Sequence, residues 1–91
     1  MYDLECRYDT RKSFYGKAIV LEQKMSDWSE MDLYSYKTLV AKIIKTKNKI
    51  KYIYGGKYSQ TTTRHQKEFF RQNGLTDREI KELFKKGVLE V

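Results

Sequence analysis

The chain changes its residue pattern once, at Gly55-Gly56, and that change constrains the fold more than any other feature. Before the glycine pair, apolar residues fall in short runs rich in Tyr, Ile, Val and Thr, which suit a pleated, half-buried surface. After it, they recur at three- and four-residue spacing behind polar residues that cap helices. Strands first and helices afterwards is the order of an α+β domain. With 91 residues there is room for one such domain, spanning 1–91. The single cysteine, Cys6, removes any intramolecular disulfide framework, so stability must come from burial. Cys6 itself is expected as a small buried hydrophobe in a reducing compartment.

Residues 14–23 contain Phe14, Tyr15, Ala18, Ile19, Val20 and Leu21 and read as a strand. Residues 9–13 are polar and turn-prone, and 2–8 are a candidate hairpin partner for 14–23. Residues 24–32 read as a polar connection, with Trp28 as a lid over the core edge. The longest extended run is 33–45. Residues 46–49 read as a hairpin turn, with Asn48 suited to positive φ, and 50–54 as the returning strand. Which of Tyr34, Tyr36, Tyr52 and Tyr54 share a face depends on a register that the pattern leaves open.

Ser59, Thr61 or Thr62 caps a first helix that runs to about Asn73, with His65, Phe69 and Phe70 on its inner side. Gly74 fits the position after a helix. Thr76-Asp77-Arg78-Glu79 is a capping box, and Leu75 with Ile80 makes a hydrophobic staple. Ile80, Leu83 and Phe84 form the second apolar stripe, Gly87 ends it, and 88–91 reads as a tail. The expected architecture is an antiparallel sheet of three to four strands followed by two C-terminal helices packed on one face.

The net charge of +7 is unevenly spread. Residues 1–35 hold five basic and seven acidic side chains; residues 36–74 hold ten basic and one acidic, a net of +9; residues 75–91 hold four of each. A basic middle of this kind points to a polyanion or an acidic partner. The competing reading is compositional: fourteen of the 19 basic residues are Lys, and an AT-rich genome inflates Lys, Tyr, Ile and Asn.

Several function classes fall away. One His and one Cys are too few for the common multi-ligand metal sites, so no metal and no cofactor is expected. Gly55-Gly56-Lys57 lacks the spacing and the following Ser or Thr of a phosphate-binding loop. His65, Cys6 and the aspartates do not assemble into a nucleophilic triad by any specific spacing, so the chain is not expected to be an enzyme. No apolar run reaches the ~18 residues of a membrane span, and the N-terminus has no secretion-signal pattern. A cytoplasmic location is the expectation.

Two candidate sites remain. Ser59, Thr61, Thr62 and His65 gather at a helix N-terminus, where unpaired N–H groups and the helix dipole can hold a phosphate. The plain alternative is capping and packing. The second candidate interleaves basic residues with aromatics: Lys42, Lys45, Lys47, Lys49, Lys51, Lys57, Arg64 and Arg71 with Tyr52 and Tyr54. Aromatic faces stack single-stranded bases while cations contact the backbone. Its alternative is a tyrosine ladder covering the sheet, with lysines guarding the edge strands.

Three blocks carry a family resemblance: Lys12-Ser13-Phe14-Tyr15-Gly16-Lys17-Ala18, then Leu33 to Ile43 with Ser35-Tyr36-Lys37-Thr38-Leu39-Val40-Ala41, then Tyr58-Ser59-Gln60-Thr61-Thr62-Thr63-Arg64-His65-Gln66-Lys67-Glu68-Phe69. In this order they resemble a group of small uncharacterised proteins encoded by phages and mobile elements of Gram-positive bacteria. The resemblance covers about residues 11–75. It implies a phage origin and a place in the host bacterial cytoplasm, and it brings forward Tyr58, Ser59, Thr61, Thr62, Arg64 and His65 as matched positions. The leading expectation is a small non-enzymatic phage accessory protein that binds nucleic acid through a basic, Tyr-rich surface. The alternative is a host-directed protein that inhibits a bacterial enzyme or defence complex. A free sheet edge would also allow a homodimer.

Overall fold

The structure, a computed structural model, describes residues 1–9 and 14–91. Most of the turn expected over 9–13, with Lys12 and Ser13 of the first resemblance block, lies outside the described residues. Among the described residues, six strands form one antiparallel sheet: β1 (Tyr2–Asp3), β2 (Ala18–Lys24), β3 (Trp28–Ser35), β4 (Thr38–Thr46), β5 (Ile50–Tyr54) and β6 (Val88–Glu90). They are ordered in space as in the chain. Helices α1 (Gln60–Gln72) and α2 (Asp77–Lys86) come between β5 and β6 and pack on one face of the sheet. The expected α+β architecture is present, with six strands instead of three to four.

The difference has identifiable causes. The run 33–45 is not one strand, because Tyr36 and Lys37 take φ of 50° and 71° and reverse the chain between Ser35 and Thr38. Two-residue hairpin turns of this kind normally advertise themselves by Gly, Asn or Asp, and none is present here. Residues 28–32, expected as a connection, are the first part of β3, and Met25 N–H closes the preceding turn on the Trp28 carbonyl at 2.8 Å. The strand expected from residue 14 begins only at Ala18. Tyr15 and Gly16 have positive φ, and Lys17 N–H bonds the Phe14 carbonyl at 2.9 Å. Of residues 2–8, Tyr2 and Asp3 form the strand that pairs with β2, and Leu4 N–H bonds the Ala18 carbonyl at 2.8 Å. The tail 88–91 is not free: Gly87, at φ 87°, turns the chain onto the edge of β5, where Val88 pairs with Ile53. The 46–49 turn closes through Thr46 N–H and the Lys49 carbonyl at 2.8 Å. Asn48 is not among the described non-glycine residues at positive φ.

Register sorts the side chains onto two faces. Val20, Leu33, Ala41 and Tyr54 stand in one cross-strand row, and Met31, Ile43, Tyr52 and Leu89 in the next. These rows meet Phe69 and Phe70 of α1 and Ile80 and Leu83 of α2 in the core. An irregularity between Leu33 and Tyr34 leaves Val40 as an extra, buried residue of β4. Gly55 packs on it so closely that a Cβ there would stand 2.6 Å from the Val40 carbonyl oxygen. Only glycine allows that approach. The other face carries Ile19, Leu21, Tyr34, Ile44 and Ile53, all half-buried, and the described residues leave it uncovered.

Both helix starts follow their local sequence. The Ser59 hydroxyl accepts the Thr62 N–H at 3.1 Å. Thr76 and Glu79 form a reciprocal capping box, and the stapling residues Leu75 and Ile80 are both buried.

Candidate functional site

The helix end singled out by the sequence is sealed into the fold. Thr62 and His65 are only 4% and 1% exposed. Ser35 Oγ lies 2.9 Å from Thr62 Oγ1 and 2.7 Å from His65 Nδ1, so one hydroxyl ties the end of β3 to the first turns of α1. The Phe14 ring packs edge-on against His65, with centroids 4.5 Å apart. Thr62 and His65 therefore face the interior. Only the exposed Ser59 and the half-buried Thr61 remain at the surface of that set, and the Ser59 hydroxyl already serves as the cap.

The outward side of α1 carries Arg64, Lys67 and Arg71 beside a groove of about 460 Å³ that Tyr8 and Asp9 also line. The N-terminal segment is strapped there by Glu68, which is 3% exposed. Glu68 Oε1 accepts the N–H groups of Tyr8 and Asp9, each at 2.9 Å, and Oε2 accepts from Gln72 Nε2. Both arginines meet carboxylates. Arg64 pairs with Asp9 at 3.3 Å. Arg71 pairs with Asp77 and lies 5.2 Å from the centroid of the Tyr8 ring.

At the opposite end of the sheet, the β2–β3 and β4–β5 turns lie side by side because the strands are antiparallel and adjacent. Trp28 opens β3, pairs with Thr46 across the sheet, and points away from the helices at 36% exposure. It is not the core-edge lid that its sequence position suggested. Lys24, Met25, Asp27, Lys45 and Lys47 line a shallow cavity of about 740 Å³ with it. Cross-strand pairing sets Lys24, Ser29 and Lys45 in one row of opposite parity to Trp28, so the ring and these two lysines reach the tip from opposite faces of the sheet. Among the described residues, no carboxylate forms an ion pair with Lys24, Lys45 or Lys47. Sequence reasoning missed Lys24 and Trp28, because only the pairing of two hairpins brings residues twenty positions apart into one site.

The remaining candidates are scattered. Tyr52 is 5% exposed and meets Phe70 edge-on, while Tyr54 stacks on Phe84 with centroids 4.1 Å apart. Burial pushes both hydroxyl pKa values up, and Glu79 adds to the effect at Tyr52. These rings belong to the core, so they offer no face to a base. Lys42 pairs with Glu30 at 3.2 Å on the uncovered face, and Lys49 reaches Glu90 at 3.8 Å. Lys51 and Lys57 are exposed. The eight residues of β3 separate Trp28 from Ser35, a span of about 23 Å. The hairpin tips and the start of α1 are thus distinct surfaces. Among the described residues, no three His, Cys, Asp or Glu side chains are grouped to hold a metal ion, and no helix is long and apolar enough to cross a membrane.

A family model described as a family of unknown function, DUF8033, matches residues 2–86, and the chain belongs to that family. No curated protein and no solved structure matches it.

Proposed function

We propose that this DUF8033 member is a non-enzymatic protein that binds single-stranded nucleic acid at its paired hairpin tips. The observation that carries the reading is Trp28. The only tryptophan of the chain stands at the surface of the hairpin tips and lines one cavity with Lys24, Asp27, Lys45 and Lys47, and none of these lysines is in an ion pair among the described residues. An exposed indole offers a flat face to an unstacked base, worth about 1–3 kcal/mol per base. A duplex keeps its base faces stacked inside, so this contact selects single strands. The lysines are compact charges on flexible stems and meet phosphates without fixing a sequence. The resemblance to phage and mobile-element proteins supports action in a bacterial host cytoplasm, and a chain with one cysteine suits that reducing compartment.

The single tryptophan supplies the readout. Titrating the protein with single-stranded DNA and RNA should quench Trp28 fluorescence, and duplexes should quench it less. Trp28→Ala should weaken binding about tenfold, as loss of one stacked base implies. Lys45→Glu combined with Lys47→Glu should weaken it for every sequence and flatten the salt dependence. Unchanged fluorescence with all oligonucleotides, or wild-type affinity in both variants, would overturn the reading. A single stoichiometric host protein retained from nuclease-treated lysate would then favour a protein target.

A further inference from the structure

The uncovered face of the sheet is apolar at both sides of β4 and charged in a particular order. Cross-strand register places Gln23 of β2, Glu30 of β3, Ile44 of β4, Lys51 of β5 and Glu90 of β6 in one row. The neighbouring row runs Leu21, Asp32, Lys42, Ile53 and Val88. Glu30 and Asp32 thus lie on β3 and an exposed lysine lies on β5, at equal distances on either side of β4, with Glu90 beyond it on the edge strand β6. Glu30 and Asp32 share Lys42 between them, which leaves the β3 side one negative charge in excess when both are ionised. Asp32 is only 7% exposed, yet its Oδ1 has no hydrogen-bond partner among the described residues. Lys51 has no ion pair among the described residues.

We propose that this face binds a second copy of the chain, sheet against sheet, about a two-fold axis running along β4. Such an axis lays β3 of each copy over β5 of its partner. Each Glu30 then meets the other copy's Lys51, the two Ile44 side chains meet on the axis, and Leu21 covers Val88. A row spacing of about 7 Å lets the same lysine reach the open oxygen of Asp32. Lys42 faces its own counterpart, with its charge already answered by Glu30. Sheets packed this way keep their strands within about 30° of each other and about 10 Å apart. Away from Lys42 at the axis, the charge order of β3 against β5 is self-complementary, as a two-fold interface requires. The axis also leaves both pairs of hairpin tips at one end of the dimer. The inference stands independently of the proposed function.

Sedimentation of the full chain without nucleic acid tests it. Wild type should dimerise with rising concentration, and Ile44→Glu should weaken dimerisation at least tenfold while circular dichroism shows the fold retained. Lys51→Glu and Glu30→Lys should each be monomeric alone. Mixed in equal amounts they should form a heterodimer, because both ion pairs are restored with reversed sign in one of them. A wild type that stays monomeric up to roughly 100 μM, variants that dimerise like wild type, or a mixture that remains monomeric would overturn the proposal.

Discussion

The two basic ends of this molecule carry similar charge in opposite condition. On α1, Arg64 and Arg71 are held by Asp9 and Asp77, and the segment that brings Asp9 is strapped down by the buried Glu68. At the hairpin tips, Lys24, Lys45 and Lys47 form no ion pair among the described residues, although Asp27 lines the same cavity, and the Trp28 ring stands at the same tip. A count of basic residues cannot separate these cases. Charge that already has a neighbour holds the fold together; charge left without one is available to a ligand.

The largest test of that contrast is Glu68→Ala. It removes the acceptor of two backbone N–H groups and should lower stability by about 2–4 kcal/mol in chemical denaturation, while nucleic-acid affinity changes less than about twofold. A matching loss of affinity would show that the two ends are coupled. Trp28→Ala should give the converse, about tenfold weaker binding with a smaller loss of stability, about 1 kcal/mol, because the indole is only partly buried.

The uncovered face between the two ends adds a pH signature. Burial, and then the adjoining Glu30 carboxyl, push Asp32 up to about 6 from 3.8. The folded state therefore holds this proton more tightly than the unfolded chain does. The stability it contributes is complete below about pH 4 and is lost as pH rises through about 6. At protein concentrations too low for association, urea midpoints should fall between about pH 5 and about pH 7.5. Asp32→Asn should remove that fall. Glu30 is shifted down, chiefly by its hydrogen bond with Asp32 and also by Lys42, and acts in the opposite sense at lower pH. The smallest effect belongs to Arg64→Ala. Its part-exposed pair with Asp9 is worth no more than about 1 kcal/mol, and affinity at the tips should stay unchanged.

Local grammar made the helical half legible. Ser59 caps α1, the Thr76–Glu79 box opens α2, Gly87 ends it, and the apolar spacing of Phe69, Phe70, Ile80 and Leu83 marks the buried sides. Each of these signals lies within a few residues of what it specifies. The sheet was legible in type and order but not in division, because Tyr36 and Lys37 adopt a turn that their side chains do not announce. The tail became β6 only because the edge of β5 was there to receive it.

For the candidate site the balance tips further toward the tertiary structure. Composition and charge along the chain determine that the middle is basic and that metal or triad chemistry lacks its residues. Which cations keep their charge, which tyrosines face solvent, and that Trp28 joins lysines from another hairpin were decided by register and packing. Strand parity sends successive side chains to opposite faces, so a one-residue difference in pairing exchanges a core tyrosine for a surface one. The sequence specifies the residues; long-range pairing specifies their neighbours, and electrostatics and stacking act only between neighbours.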